Sequence, residues 1–143
     1  MLKNSKKGFT LIELMVVIAI IGILSSVVLA SLNSARVKGN DAKMKAEMSG
    51  LRSAAEIYYD NTSASYLGMF TGNNTCASGN STVSSYLVSI AGASAAEACF
   101  SVATGYAMVA TLPSGAFWCV NHDGDSKSVA GTSVIGAADQ DCD

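Results

Sequence analysis

The chain has 143 residues, half of them apolar, with nine lysines and arginines against eleven carboxylates and a net charge of −2. That length holds one modest domain. The acidic balance excludes a general nucleic-acid binder, which presents a basic face.

Met1 to Gly8 is a short basic tail carrying Lys3, Lys6 and Lys7, so the remaining six cations face all eleven carboxylates. From Phe9 to Leu32 the chain has 24 residues with one charge, Glu13, and four hydroxyls, Thr10, Ser25, Ser26 and Ser31. As a helix this run is about 36 Å long, enough to cross the hydrocarbon core of a bilayer. A carboxylate inside such a span costs about 2.5–3.5 kcal/mol on insertion scales. A secretory signal peptide has a shorter apolar run and no carboxylate in it, so Glu13 argues against that reading. A plain membrane anchor leaves Glu13 without a purpose.

The helical pattern continues to about Asp60. Val37, Met44, Met48, Leu51, Ala55 and Tyr58 recur at steps of three, four and seven and predict one buried face. Arg36, Lys38, Lys43, Lys45, Arg52 and Asp60 supply the wet face. Gly22, Gly39 and Gly50 each weaken the helix by about 1 kcal/mol relative to alanine. They mark close packing or local melting. Lysines and arginines flank both ends of the apolar run, so charge alone does not orient it.

Beyond Asp60 a turn-rich loop, "NTSASYLGMFTGNNTCASGNST", leads to a short helix over 84–90 with Tyr86, Leu87 and Ile90 inward. "GYAMVATLP" and "AFWCVNH" read as strands joined at Pro113-Ser114-Gly115, and "HDGD" as a turn into a third strand, "SKSVAG". The expected product is a small antiparallel meander with one apolar face, covered by the amphipathic half of the long helix.

All four cysteines, Cys76, Cys99, Cys119 and Cys142, lie in the last 70 residues. An even count after a membrane segment points to disulfides in an oxidising compartment, and to a C-terminal domain exported there. Four cysteines allow three connectivities. Cys119-x-x-His122 with Cys142 is a thin zinc pattern, and His122 reads as a turn residue. Asn121, Asp123 and Asp125 alternate, as do Asp139, Asp141 and Asp143. Asp123 and Asp125 are the candidates for calcium. The same spacing serves Asp-Gly turn chemistry and a solvated acidic tail, so no metal or other cofactor is assigned. No catalytic constellation is present, and an enzyme is not expected.

The stretch "KKGFTLIELMVVIAIIGIL" resembles the N-terminus of a type IV prepilin or of the related pseudopilins of type II secretion. The resemblance covers residues 1–35 in sequence and the rest in architecture. It implies cleavage by a prepilin peptidase between Gly8 and Phe9, N-methylation of Phe9, and an assembly role for Glu13. There the carboxylate meets the new amino terminus of a neighbouring copy, and pairing offsets part of the desolvation of both charges. Many type IVa pilins carry a proline near the position of Ala30. This chain has none there, which leaves open where its helix melts.

The resemblance implies a pilin-like α+β fold: a long helix with a projecting apolar half and an amphipathic half packed on a small antiparallel sheet. The expected divisions are a leader at 1–8, an apolar half-helix at 9–35, an amphipathic half-helix at 36–60 and an extracellular domain at 61–143. Many pilins tie their C-terminal segment back to the sheet by a disulfide. On that resemblance the pairs are Cys76–Cys99 and Cys119–Cys142. The implied partners are copies of the chain itself, the prepilin peptidase, the inner-membrane assembly machinery, and the membrane before assembly. The implied location is the inner membrane for the precursor and a surface filament for the product. Adhesion, twitching motility and DNA uptake are the processes such filaments serve. A type II secretion pseudopilin and an anchored binding domain that never polymerises stay open as alternatives.

Overall fold

The computed structural model describes residues 8–71, 76–92, 97–131, 135–136 and 140–143. Helix α1 runs Leu11–Asn61 and α2 runs Ser81–Ala91; strands are β1 Glu97–Ser101, β2 Tyr106–Thr111, β3 Phe117–Asn121 and β4 Ser126–Val129. The chain divides into two compact units, Met1–Arg36 and Val37–Asp143.

In the second unit, the spacing of apolar residues on α1 decides what it buries. Met44, Met48, Leu51, Ala54 and Ala55 are buried, while Val37 and Tyr58 are half-buried. Met44, Met48, Leu51, Ala54 and Ala55, with Tyr58 packed beside them, share one core with Val83, Leu87 and Ile90 of α2 and with Cys99, Tyr106, Met108, Ala110 and Val120 of the sheet. On α2, Leu87 and Ile90 are buried as expected and Tyr86 is half-buried against the same core; Val83 is buried in addition, because the helix starts three residues earlier than the sequence predicts. Asn80 sets that start: its side chain accepts from the amides of Thr82 and Val83 at 3.0 and 3.1 Å, satisfying donors that a helix start leaves bare.

The sheet is antiparallel with strand order β1-β2-β3-β4. The meander is therefore four strands rather than three, with β1 added on the far side of β2. Its other face is not open. Ala98, Phe100, Ala107, Val109 and Cys119 form a second core with Ile135 and Cys142 of the C-terminal segment. Burial of both faces explains why β2 is buried at five consecutive positions instead of alternating.

The two disulfides stand on opposite sides of this sheet. Cys99 lies in the helix-side core and is bonded to Cys76, with Cα atoms 5.1 Å apart. Cys119 lies in the second core and is bonded to Cys142, with Cα atoms 5.7 Å apart. Each closes a segment of 23 residue steps.

Turns and the loop after α1 complete the unit. Gly115 at φ +89° and Gly124 at φ +106° occupy the left-handed region in the two predicted turns, where a side chain is strained. Ser114 N donates to Asp41 Oδ1 at 3.0 Å, tying the first turn to α1. Asn121 is fully buried and satisfied across the second turn: Asp125 N donates to its Oδ1 at 2.8 Å, and its Nδ2 donates to Asp125 Oδ2 at 3.3 Å. After α1, Tyr66 packs on Tyr59 and Tyr106 at ring separations of 4.6 and 5.1 Å and donates to Glu56 at 2.9 Å. Burial and the Glu56 carboxylate both push the Tyr66 hydroxyl well above its ordinary range. Lys45, expected on the wet face, lies 4.0 Å from the Trp118 ring centroid, a cation–π contact.

Candidate functional site

In the first unit every residue from Gly8 to Arg36 is exposed. Leu11, Ile12, Leu14, Met15 and the large apolar residues through Leu32 are exposed. A helix apolar on all sides is stable only inside lipid or against other protein. This one is long and apolar enough to cross a membrane. Its hydroxyls fit that setting, for Ser26 Oγ donates to Ile23 O at 2.7 Å within the same helix.

Glu13 sits in the first turn. Thr10 N and Thr10 Oγ1 both donate to Glu13 Oε2, at 2.8 and 2.7 Å, and Glu13 N donates to Thr10 Oγ1 at 3.3 Å. This is a capping box, in which the residue before the helix and the one three places on satisfy each other's groups. The carboxylate also lies at the positive end of the helix dipole. Two donors and the dipole lower the cost of the charge, but they do not neutralise it. Thr10, the other member of this box, was not among the expected site residues; its signal is a threonine three residues before a glutamate, ahead of an apolar run.

Gly8 and Phe9 immediately precede this box. Both are exposed, and beyond its chain neighbours no described atom lies within 4 Å of a Cβ built on Gly8. Lys3, Lys6 and Lys7 lie outside the described residues.

The remaining candidates sit in the second unit. The sulfurs of Cys119 and Cys142 are bonded to each other, which removes both thiolates from the Cys-x-x-His pattern. His122 Nε2 lies 3.4 Å from Asp123, and its Nδ1 is buried with no hydrogen-bond partner among the described residues. Its ring covers Gly105, where a Cβ would come within 2.6 Å. Asp125 and Asp143 converge on Lys127, at 3.6 and 2.6 Å from its ammonium nitrogen. The hydrogen bond and charge of Lys127 hold the Asp143 carboxyl below its usual range, and Asp143 in turn raises Lys127. An ammonium thus occupies the place between these carboxylates. Among the described residues, no three His, Cys, Asp or Glu side chains are grouped to hold a metal; Asp139 lies outside them.

The chain matches the model of the prokaryotic N-terminal methylation motif over residues 3–29. It is 47% identical over 74 residues to a fimbrial protein of Neisseria meningitidis serogroup B, covering 50% of this chain and 39% of that one. It is 41% identical over 58 residues to a type II secretion system core protein G of Klebsiella michiganensis, covering 41% of each. A type IV wide pilus major component of Thermus thermophilus is 44% identical over 61 residues, 42% of this chain and 47% of its own. The chain therefore spans less than half the length of these relatives. No solved structure matches it.

Proposed function

We propose that this chain, which the methylation motif and the relatives support as a member of the type IV pilin and pseudopilin family, is a structural subunit of a type IV pilus. The observation that carries the reading is a wholly exposed apolar helix opened by the Thr10–Glu13 box directly after Gly8 and Phe9. A prepilin peptidase removes residues 1–8, and Phe9 is N-methylated on a nitrogen that keeps its positive charge. The precursor is held in the inner membrane by its helix, with the disulfide-bonded domain exported. Inner-membrane machinery then moves subunits into a fibre that reaches the cell surface and serves adhesion, motility or DNA uptake. The role is structural, not catalytic.

Glu13 selects the assembly register. In the single subunit the carboxylate has its own Thr10 as partner. In the fibre, the amine of Phe9 on a neighbouring copy supplies the missing positive charge, at low dielectric where an uncompensated carboxylate is penalised. A register that leaves Glu13 without an amine costs more than one that pairs it.

Intact-mass analysis of fibres sheared from cells tests the reading. The expected species begins at Phe9, carries one added methyl group and retains both disulfides. A species beginning at Met1 or Ser31 overturns it. A second reading, the pseudopilin of a type II secretion system, is favoured by the likeness to a core protein G. Fibres of this subunit on cells support the pilus; secretion that fails without the subunit, in cells bearing no fibres, supports the pseudopilus. An anchored binding domain predicts no fibre and no secretion defect.

A further inference from the structure

The side of α1 that faces away from the core has an order of its own. Within the second unit Lys38, Glu56 and Asp60 are exposed, and so are Ala42, Ala46, Ser49 and Ser53 between them. These positions follow one another at steps of four or three residues, which keeps them on a single face. The middle of the face carries only small, uncharged side chains, and its two ends carry opposite charge. Lys38 and Asp60 have no ion-pair or hydrogen-bond partner among the described residues. Glu56 accepts from Tyr66 and keeps its carboxylate at the surface.

Small side chains let a second helix come close, and the charged ends then decide the height at which it sits. A parallel copy in register sets Lys38 beside Lys38 and Asp60 beside Asp60, which is repulsive at both ends. Displaced along the axis by 18 to 22 residues, about 27–33 Å, Lys38 of one copy reaches Glu56 and Asp60 of the other.

We propose that this face is a contact between copies of the chain, in which Lys38 of one subunit seats between Glu56 and Asp60 of a parallel subunit displaced by about 30 Å. It rests on the polymer reading above and adds a second register-setting pair, outside the membrane and with a different neighbour, since pairing of Phe9 with Glu13 displaces parallel copies by only about 6 Å. Being solvent-accessible, this pair weakens with ionic strength.

The test uses full-length protein in cells. Lys38→Glu should lower fibre yield about fivefold, the order expected of an exposed ion pair turned repulsive. The double variant Glu56→Lys with Asp60→Lys should do the same, and the triple variant should restore yield. Membrane-bound subunit should stay at parental levels in each. In a second arm, copies carrying Lys38→Cys and Asp60→Cys are co-expressed and mildly oxidised. A linked dimer is expected only when both are present. Ser49→Cys alone should give none, because only an antiparallel pairing or a parallel one in register sets position 49 against itself; such a dimer overturns the proposal. Parental fibres with no response to charge reversal and no cross-link also overturn it, and leave the polymer reading standing. A parent that forms no fibres overturns the polymer reading, and this contact with it.

Discussion

Tyr86 on α2 closes over Gly50 on α1 so tightly that a Cβ at position 50 would come 2.5 Å from its ring carbon Cε1. Gly39, on the same helix, has no described atom beyond its own helical turns within 4 Å of such a Cβ. The two glycines therefore predict opposite outcomes. Gly39→Ala should stabilise the domain by about 1 kcal/mol through helix propensity alone. Gly50→Ala gains the same propensity but must displace Tyr86, and overpacking of this kind costs about 1–3 kcal/mol. Thermal melts of the two variants should move in opposite directions. A Gly50→Ala protein as stable as Gly39→Ala would mean that Tyr86 is not held where it stands.

Glu13→Ala should leave membrane insertion intact, or favour it, since a charge leaves the hydrocarbon. Fibre assembly should fall sharply. Thr10→Val tests the capping box separately, because it removes the hydroxyl that bonds Glu13 while keeping the backbone amide. It should reduce assembly less than Glu13→Ala does. Wild-type fibre numbers from Glu13→Ala would remove the charge-pair mechanism.

The Cys119–Cys142 bond holds a C-terminal segment with little apolar surface of its own against the second face of the sheet. In the chain-entropy model, a loop of this size makes such a bond worth about 3 kcal/mol. Cys142→Ser should lower stability by that order and uncover Phe100 and Val109, with dye binding as the readout. The helix-side core around Met48 and Leu51 should keep its hydrogen-exchange protection. Equal loss of protection on both faces would show that the two cores do not open separately.

The same segment carries a pH dependence. The carboxyl of Asp143 is held below its ordinary value, so its contribution is present at neutral pH and is lost as pH falls through that lowered value. Lys127 is raised, so its contribution is present at neutral pH and is lost as pH rises past its raised value. Both groups are at the surface, and the effect is small. In Cys142→Ser protein, the protection factor of the Asp143 amide should be highest at intermediate pH and should fall at the acid and alkaline extremes. An unchanged protection factor from neutral to acid pH would show that the ion pair does not hold the segment.

How much of this was legible depended on range. The buried face of α1 was, because Met44, Met48 and Leu51 repeat at helical spacing and a single helix records its own environment. Gly115 and Gly124 announced their turns through backbone chemistry that depends on no distant partner. Strand β1 was not legible: "EACFS" is short, and its place beside β2 is fixed by pairing with Val109 and Ala107. The second core was hidden for a related reason. Ile135 and Cys142 reach it from a segment whose composition reads as solvated, and only the sheet shows what they cover. At the site, Glu13 stood out as a charge in an apolar run, whereas Thr10 passed as one hydroxyl among four.

The disulfides bear on what happens when such a chain is pulled. They close two successive, non-interlocking segments, 76–99 and 119–142. A load entering through α1 and leaving through the sheet can separate strands, but it cannot draw out either segment. Together they withhold 46 residue steps from extension, about 150 Å of contour. The links outside these two segments stay free to extend, so a pulled domain still lengthens, but by about 150 Å less than the same chain with its cysteines reduced.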